Sequence, residues 1–298
     1  MSSLDGLRSI LFVPGIRPEF IPKAWASGAD ALVLDLEDAV APAAKDKARS
    51  LVSAELHKSV ERLTFIRINH PSAGWLEKDL SVLAPHSSQA IMVPKVEGPN
   101  DLTEIDRRLT DFENAAGLKR YAIALMVVIE NNIGLRNLFD ALGSTPRVHG
   151  AALATAEEGD LILDMGGQWT PTGEALAYAR GKFVCDARSA NTIWLFDGAF
   201  MNLRDEGALE KECRLARIHG FNGKVAIHPR QVPVINRSFS PTALEIDRSR
   251  KLVDAFRAAE AKGHGAVQFE GMMIDYANVK RAERILALAS TVDRTRDT

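Results

Sequence analysis

Residues 121–130 read YAIALMVVIE. Nine apolar residues run without interruption and stop at the carboxylate of Glu130. A strand with one wet face alternates apolar and polar positions. A short continuous run rich in Ile, Leu and Val instead reads as a strand buried on both faces. It is about half the ~20 residues that a membrane-spanning helix needs. Working outward, similar runs recur at Ile10–Val13, Ala31–Leu36, Thr64–Ile68 and Ala90–Val93. They continue at Val148–Ala154, Thr192–Phe196 and Lys224–Ile227, with Ala122–Ile129 as the fifth of the series. Between them, helices are expected at Pro18–Ser27, Pro42–His57, Ala73–Ala84, Pro99–Asn114, Ile133–Leu142, Pro171–Asp186 and Glu206–His219. Proline near the start of several suits the first turn of a helix. Strands alternating with helices specify βαβ units and a parallel sheet. Eight strands in that order favour an α/β fold closed as a TIM (β/α)8 barrel over an open doubly wound sheet.

A barrel of this kind takes about 250 residues, and the chain has 298. After residue 237 the pattern changes. A long helix is expected over Ser240–Lys262, a strand-like stretch at Ala266–Phe269 and a last helix at Tyr276–Ala289. The expected organisation is a catalytic barrel over 1–237 and a small helical C-terminal region over 238–298.

The 37 basic and 39 acidic residues nearly cancel. No broad basic field exists to hold nucleic acid or an anionic membrane. Two cysteines, Cys185 and Cys213, exclude a disulfide framework, and neither has a CxxC partner for a zinc site. Both are expected in helices and inert. A reducing cytoplasm is the expected compartment, and the first nine residues carry no apolar leader segment. The GxxxxGK[ST] and strand-linked GxGxxG nucleotide fingerprints do not occur.

In a barrel, the polar residues that follow each strand gather at the C-terminal mouth. Here they are Arg17, Glu37, Asp38, Arg67, Asn69, Lys95, Glu130, Asp160, Asp164, Asp197 and His228. Glu130 and Asp160 leave consecutive strands with no His or Cys near them. Two carboxylates favour a hard, oxygen-preferring cation: Mg2+ first, then Mn2+ or Ca2+. The alternative is that both acids are helix caps or surface groups. Arg67 sits inside an apolar strand, which is costly unless it is paired. It either holds a substrate carboxylate or enolate oxygen, or forms a structural ion pair with Glu37 or Asp38. Lys95 is read as a supporting cation ahead of a Schiff-base lysine. Arg17 and Lys23, after the Pro–Gly turn at 14–15, could receive an anion. His228 is expected to bind substrate or, with equal weight, to be a packing histidine that hydrogen-bonds a loop.

These residues fall in motifs that carry a resemblance. RSILFVPG (8–15), ADALVLDLEDAV (29–40), FIRIN (65–69), VPKVE (93–97), the strand end at Glu130, GDLILDMGG (159–167), GFNGKVAIHPRQ (220–231) and GMMIDYANVKRAERIL (271–286) span nearly the whole chain. The sequence resembles the citrate lyase β-subunit-like branch of the HpcH/HpaI aldolase superfamily, which includes malyl-CoA, citramalyl-CoA and citryl-CoA lyases. The resemblance implies a Mg2+-dependent barrel with a C-terminal lid, commonly a homotrimer or a dimer of trimers, whose lid reaches a neighbour's site. It implies Glu130 and Asp160 as metal ligands and Arg67 as the group on the carbonyl and enolate oxygens. Phe12, Arg17 and Lys23 match acyl-CoA-binding positions. Asp275 matches the lid aspartate that serves as acid and base; by itself it would pass for a helix N-cap. Glu37 and Asp38 would orient Arg67 or metal-bound waters.

Two departures stand out. The family pattern IET-x-x-G is IENNIG here, with Asn131 beside the metal position. The loop ALATAEEGD (152–160) is longer than usual, which makes Glu157, Glu158 and Asp164 rivals to Asp160. The implied activity is carbon–carbon cleavage of a 3-hydroxyacyl-CoA to an acyl-CoA and an oxo-acid. The alternatives are a thioesterase, a metal-dependent 2-oxo acid aldolase and a non-catalytic citrate lyase subunit.

Overall fold

The structure, a computed structural model, describes residues 6–58, 62–85 and 89–296. The first five residues of the expected barrel domain therefore lie outside the described residues. The remainder forms two compact units, Leu7–Phe239 and a second built mainly from the chain after Ser240.

Eight parallel strands close the first unit into a barrel in sequence order. They are β1 (Ser9–Pro14), β2 (Ala31–Asp35), β3 (Thr64–Arg67), β4 (Gln89–Val93), β5 (Ala124–Ile129), β6 (Val148–Leu153), β7 (Trp194–Asp197) and β8 (Gly223–Ala226). All five residues of β2 and of β4 are buried, as their unbroken apolar pattern requires. One side of each strand, with residues such as Leu34, Ile66, Ile91, Val127 and Leu195, packs outward against the helices. The other side fills the barrel. There Phe65 and Trp194 meet edge to face at 5.6 Å. Gly150 of β6 is small for this reason: a Cβ would sit 2.9 Å from both Met126 and Trp194. The seam between β8 and β1 closes at Gly223, where a Cβ would meet the Arg8 carbonyl oxygen at 2.2 Å.

Several helices differ from the expected ranges. Proline starts the segments after β1 and β2 as single 3-10 turns, Pro18–Phe20 and Pro42–Ala44, before the helices Ile21–Ala26 and Lys45–Leu56. The segment expected at Ala73–Ala84 is helical only over Leu76–Leu80. The one expected at Ile133–Leu142 breaks at Asn137. A further barrel helix, Val232–Phe239, was not expected.

In the second unit, the helix Ala243–Glu260 begins with a capping box, Thr242 and Glu245 each bonding the other's backbone. The strand-like stretch becomes β9 (Val267–Phe269), paired antiparallel with β10 (Met272–Ile274). The last helix runs Tyr276–Arg296. Leu252, Val253, Phe256, Ile274, Val279 and Ala282 form a separate small core. Among the described residues, no helix is long and apolar enough to cross a membrane.

Candidate active site at the barrel mouth

Arg67 is the best-anchored charge at the mouth. The register places it beside Asp35, the last residue of β2. Its Nε and Nη2 donate to the two Asp35 oxygens at 2.7 and 2.6 Å. Its Nη1 lies 3.0 Å from Glu37, and its plane lies over the Phe12 ring at 4.8 Å. Burial works against the charge, but the bond and charge of Asp35 outweigh it and raise the Arg67 pKa. Asp35 also accepts the N–H groups of Glu37 (2.8 Å) and Ala39 (3.1 Å), which fixes the turn after β2. Its oxygens are thus fully engaged and it serves as an anchor. The expected ion pair of Arg67 with Glu37 is present, while Asp38 pairs elsewhere and the principal partner, Asp35, was missed. The alternation in DLED, which puts residues 35 and 37 on one side of a strand, was the available signal.

Lys95 ties the next two strands together. Its Nζ reaches Glu37 at 2.8 Å and Asp38 at 3.3 Å. Its own backbone N–H donates to Glu130 Oε1 at 3.2 Å. It does this from a left-handed backbone, φ 53°, that costs a non-glycine residue about 1 kcal/mol or more. Burial pushes Glu37 above the ordinary carboxylate range. Burial, and then the charge of Glu37, push Glu130 up to about 7.

Glu130 is 8% exposed and borders two spaces. An open cavity of about 570 Å³ is lined by Glu130, Asp160, Asp164, Lys95, His70 and Asn131, among others. An apolar recess of about 190 Å³ is edged by Glu130 and Arg67 and floored by side chains such as Phe12, Met92 and Val128. Among the described residues, no group of three or more His, Cys, Asp or Glu stands together as a metal cage. Glu130 and Asp160 on one open cavity that Glu97 and Asp164 also line nevertheless suit Mg2+, which is usually bound through one or two carboxylates and keeps several waters. The donor set fits.

The rivals to Asp160 fare less well. Asp164 spends an oxygen on the Asn132 N–H at 2.6 Å, and Glu157 and Glu158 do not line the cavity. Asp160 opens the short helix Asp160–Asp164 with its side chain exposed. Asn131 caps the helix Asn132–Arg136 through the Gly134 N–H (2.8 Å) and donates to Glu97 (2.9 Å). It is therefore committed to the loop beside Glu130.

The remaining expected residues are more scattered. Arg17 is exposed, bonded to Glu19 and stacked on Phe20 at 4.3 Å. His228 accepts the Arg230 N–H at 3.1 Å, the loop-packing alternative. Burial, then the charges of Arg230 and Lys23, lower its pKa, so Lys23 lies within its field. Asp275 belongs to the second unit. There it accepts the Ala277 N–H at 2.9 Å as the cap of the last helix. Asp197 was expected at the mouth but is wholly buried, bonded to Lys224 at 2.7 Å and Arg180 at 3.0 Å. Asp197 shares its side of β7 with Leu195, so it faces the surrounding helices and their Arg180 instead of the barrel interior. Cys213 is buried, which pushes its thiol to about 12, and Cys185 is exposed.

Comparison with known proteins agrees with this architecture. The HpcH/HpaI aldolase/citrate lyase family matches residues 8–229. A citrate lyase subunit beta of Leuconostoc mesenteroides subsp. cremoris is 34% identical over 287 residues, covering 95% of this chain and 93% of the relative. A (3S)-malyl-CoA thioesterase of Cereibacter sphaeroides (strain KD131) is 31% identical over 287 residues, covering 96% and 95%. Among solved structures, the protein CitE from Mycobacterium tuberculosis, in complex with magnesium, acetoacetate and coenzyme A, superposes with a TM-score of 0.77 at 26% identity, over 96% of this chain and 98% of that one. The eight-stranded barrel is thus a TIM barrel, and the chain belongs to the HpcH/HpaI aldolase/citrate lyase family.

Proposed function

We propose that this protein is a Mg2+-dependent carbon–carbon lyase acting reversibly on a 3-hydroxyacyl-CoA that carries a carboxylate, such as malyl-CoA or citramalyl-CoA. The observation that carries the reading is Arg67. It is held rigid by Asp35, Glu37 and Phe12 on the same recess that Glu130 borders. A fixed cation there suits an oxygen that gains charge only during the reaction. Such preorganised stabilisation is often the largest single contribution to catalysis.

In the cleavage direction, the 3-hydroxyl gives its proton to water in the open cavity and its carbon becomes the carbonyl of the oxo-acid. The C2–C3 electron pair passes into the thioester enolate. Arg67 holds the enolate oxygen. Asp275, carried by the C-terminal region acting as a lid, gives a proton to the enolate carbon. Condensation reverses these steps. Lid closure excludes water from the enolate. Glu130 and Asp160 would hold the Mg2+ ion, which would supply Lewis acidity and orient the oxo-acid. Lys95 keeps Glu130 and Glu37 in place. Arg17 and Lys23 would receive the CoA phosphates, Arg17 exchanging Glu19 for phosphate. The working assembly on this reading is a homotrimer in the cytoplasm.

A thioesterase is the second reading, favoured by the relative of that name. The test is a panel of acyl-CoA thioesters with mass-spectrometric identification of products. An oxo-acid with a shortened acyl-CoA supports the lyase. A free hydroxy-acid with CoA replaces it by the thioesterase. Cleavage of a free hydroxy-acid without CoA would mark an aldolase, and an inert isolated chain a non-catalytic subunit.

A further inference from the structure

Glu130 separates two spaces of unlike character. The cavity shared with Asp160 is polar, with Lys95, Glu97, Asn131 and Asp164 on its wall. The recess of about 190 Å³ behind it is apolar apart from Arg67 and Glu130 themselves. On the side formed by β6 and β7 that recess is kept open by small residues: Ala152, Ala154, Ala156, Gly198 and Ala199. Gly198 is glycine because of the chain path, since a Cβ there would lie 2.4 Å from the Thr155 backbone nitrogen. Ala154 and Ala199 are only half-buried.

On the reading given under Proposed function, an oxo-acid sits at Glu130 and Asp160. Its carboxylate and carbonyl oxygens belong on the polar side. The third substituent on the carbonyl carbon then faces the recess. We infer that the recess receives an alkyl group there, and that the oxo-acid is R–CO–COOH with R an alkyl chain in place of hydrogen. Glyoxylate, with only hydrogen at that position, leaves the recess unfilled. An apolar pocket discriminates by about tenfold or more for each methylene it accommodates. Water gains little in such a space, because it lacks the two to four polar partners that hold a buried water.

The experiment is calorimetric titration of the full chain, with Mg2+ present, by glyoxylate, pyruvate, 2-oxobutyrate and 2-oxovalerate. Affinity is expected to rise at least tenfold from glyoxylate to the longer acids. Ala199→Val and Ala154→Val each narrow the recess. Each is expected to weaken 2-oxovalerate at least tenfold and to leave glyoxylate unchanged. Affinities that are flat or fall with chain length, or variants that weaken all four acids alike, overturn the inference. Carbon–carbon bond formation from the same acids and acetyl-CoA is read separately. If no such product forms while the binding series holds, the lyase reading falls and the recess assignment stands.

Discussion

Two ionic clusters stand in the barrel, and they are built on different plans. The first joins β7 and β8 to the helices Ala177–Ser189 and Glu206–His219. Asp197 and Glu212 face Arg180 and Lys224, at 2.7 to 3.3 Å, with all four side chains 5% exposed or less. Its two cations balance its two carboxylates. The second is the mouth, where Arg67 and Lys95 face Asp35, Glu37, Asp38 and Glu130. It has two carboxylates more than cations and opens onto a cavity. A buried cluster must be neutral to be tolerated. A cluster with excess negative charge beside water is tolerable, and it is what a divalent cation needs. The first cluster supports the barrel, and on the function proposed above the second is the one left open to a ligand.

The largest expected effects test this contrast directly. Lys224→Met leaves Asp197 and Glu212 facing Arg180 alone. Removing one partner of a buried pair costs about 3–5 kcal/mol, read as a lowered denaturant midpoint. Glu130→Gln, which trims the excess charge at the mouth, is expected to leave that midpoint unchanged or raise it. Equal losses in the two variants would erase the distinction. For turnover, Arg67→Lys loses the bidentate hold on Asp35 and the planar face toward the recess. The kcat/KM of the lyase reaction is expected to fall by about 10²–10³, the usual cost of one preorganised donor. A change below threefold would remove Arg67 from the reaction.

Next in size is the metal. A ligand at 100 times its Kd stabilises the native state by about 2.7 kcal/mol. Mg2+ is expected to raise the thermal midpoint of the wild type, and not that of Glu130→Gln or Asp160→Asn. Lys224→Met, though unstable, should keep the Mg2+ response. If Asp164→Asn abolishes the response and Asp160→Asn does not, the second ligand is the rival aspartate.

The contrast also explains what the sequence could and could not reveal. The eight barrel strands were legible to within two residues because most of their residues are buried on both faces, so burial wrote itself as apolar runs; β10, two of whose three residues are exposed, was not expected. Glu130, Arg67 and Glu37 were legible as charges interrupting or ending those runs. Asp35 and Asp197 were harder, since a carboxylate at a strand end looks the same whether it turns to the mouth or to a buried cation. Lys224 decides the second case through its register with Asp197, and pairing across strands is not visible in one strand's pattern. The neutralising arginine, Arg180, comes from a helix whose polar residues read as solvent-facing. Asp275 gave no signal of its own: in its own unit its contacts are those of an ordinary helix cap.

The smallest expected effect is one of pH, to which Glu130 and Asp197 contribute with opposite sign, while burial raises Glu212 of the buried cluster as it does Glu130. Glu130 is raised to about 7 by burial and by the charge of Glu37, against the opposing charges of Arg67 and Lys95. In metal-free protein the folded state holds that proton more tightly than the unfolded chain. The resulting stabilisation is full below about pH 4.5 and is lost as pH rises through 7. A unit of pKa is worth about 1.4 kcal/mol, and with the mouth open to water a loss on the order of 1 kcal/mol is expected between pH 5 and 7.5. Asp197 runs the other way. Burial disfavours its charge, but Lys224 and then Arg180 outweigh that and hold it below the ordinary carboxylate range. Its contribution is present above about pH 4 and is lost only as pH falls further. Since Mg2+ must displace the proton on Glu130, its affinity should weaken as pH drops through 7. Denaturant midpoints from pH 4.5 to 8, with and without Mg2+, separate the two clusters. The metal-free curve should fall across neutrality, the Mg2+ curve should not, and Glu130→Gln should flatten the first without touching the acid limb. A neutral slope that survives Glu130→Gln would assign it to another group and leave the mouth without its excess charge.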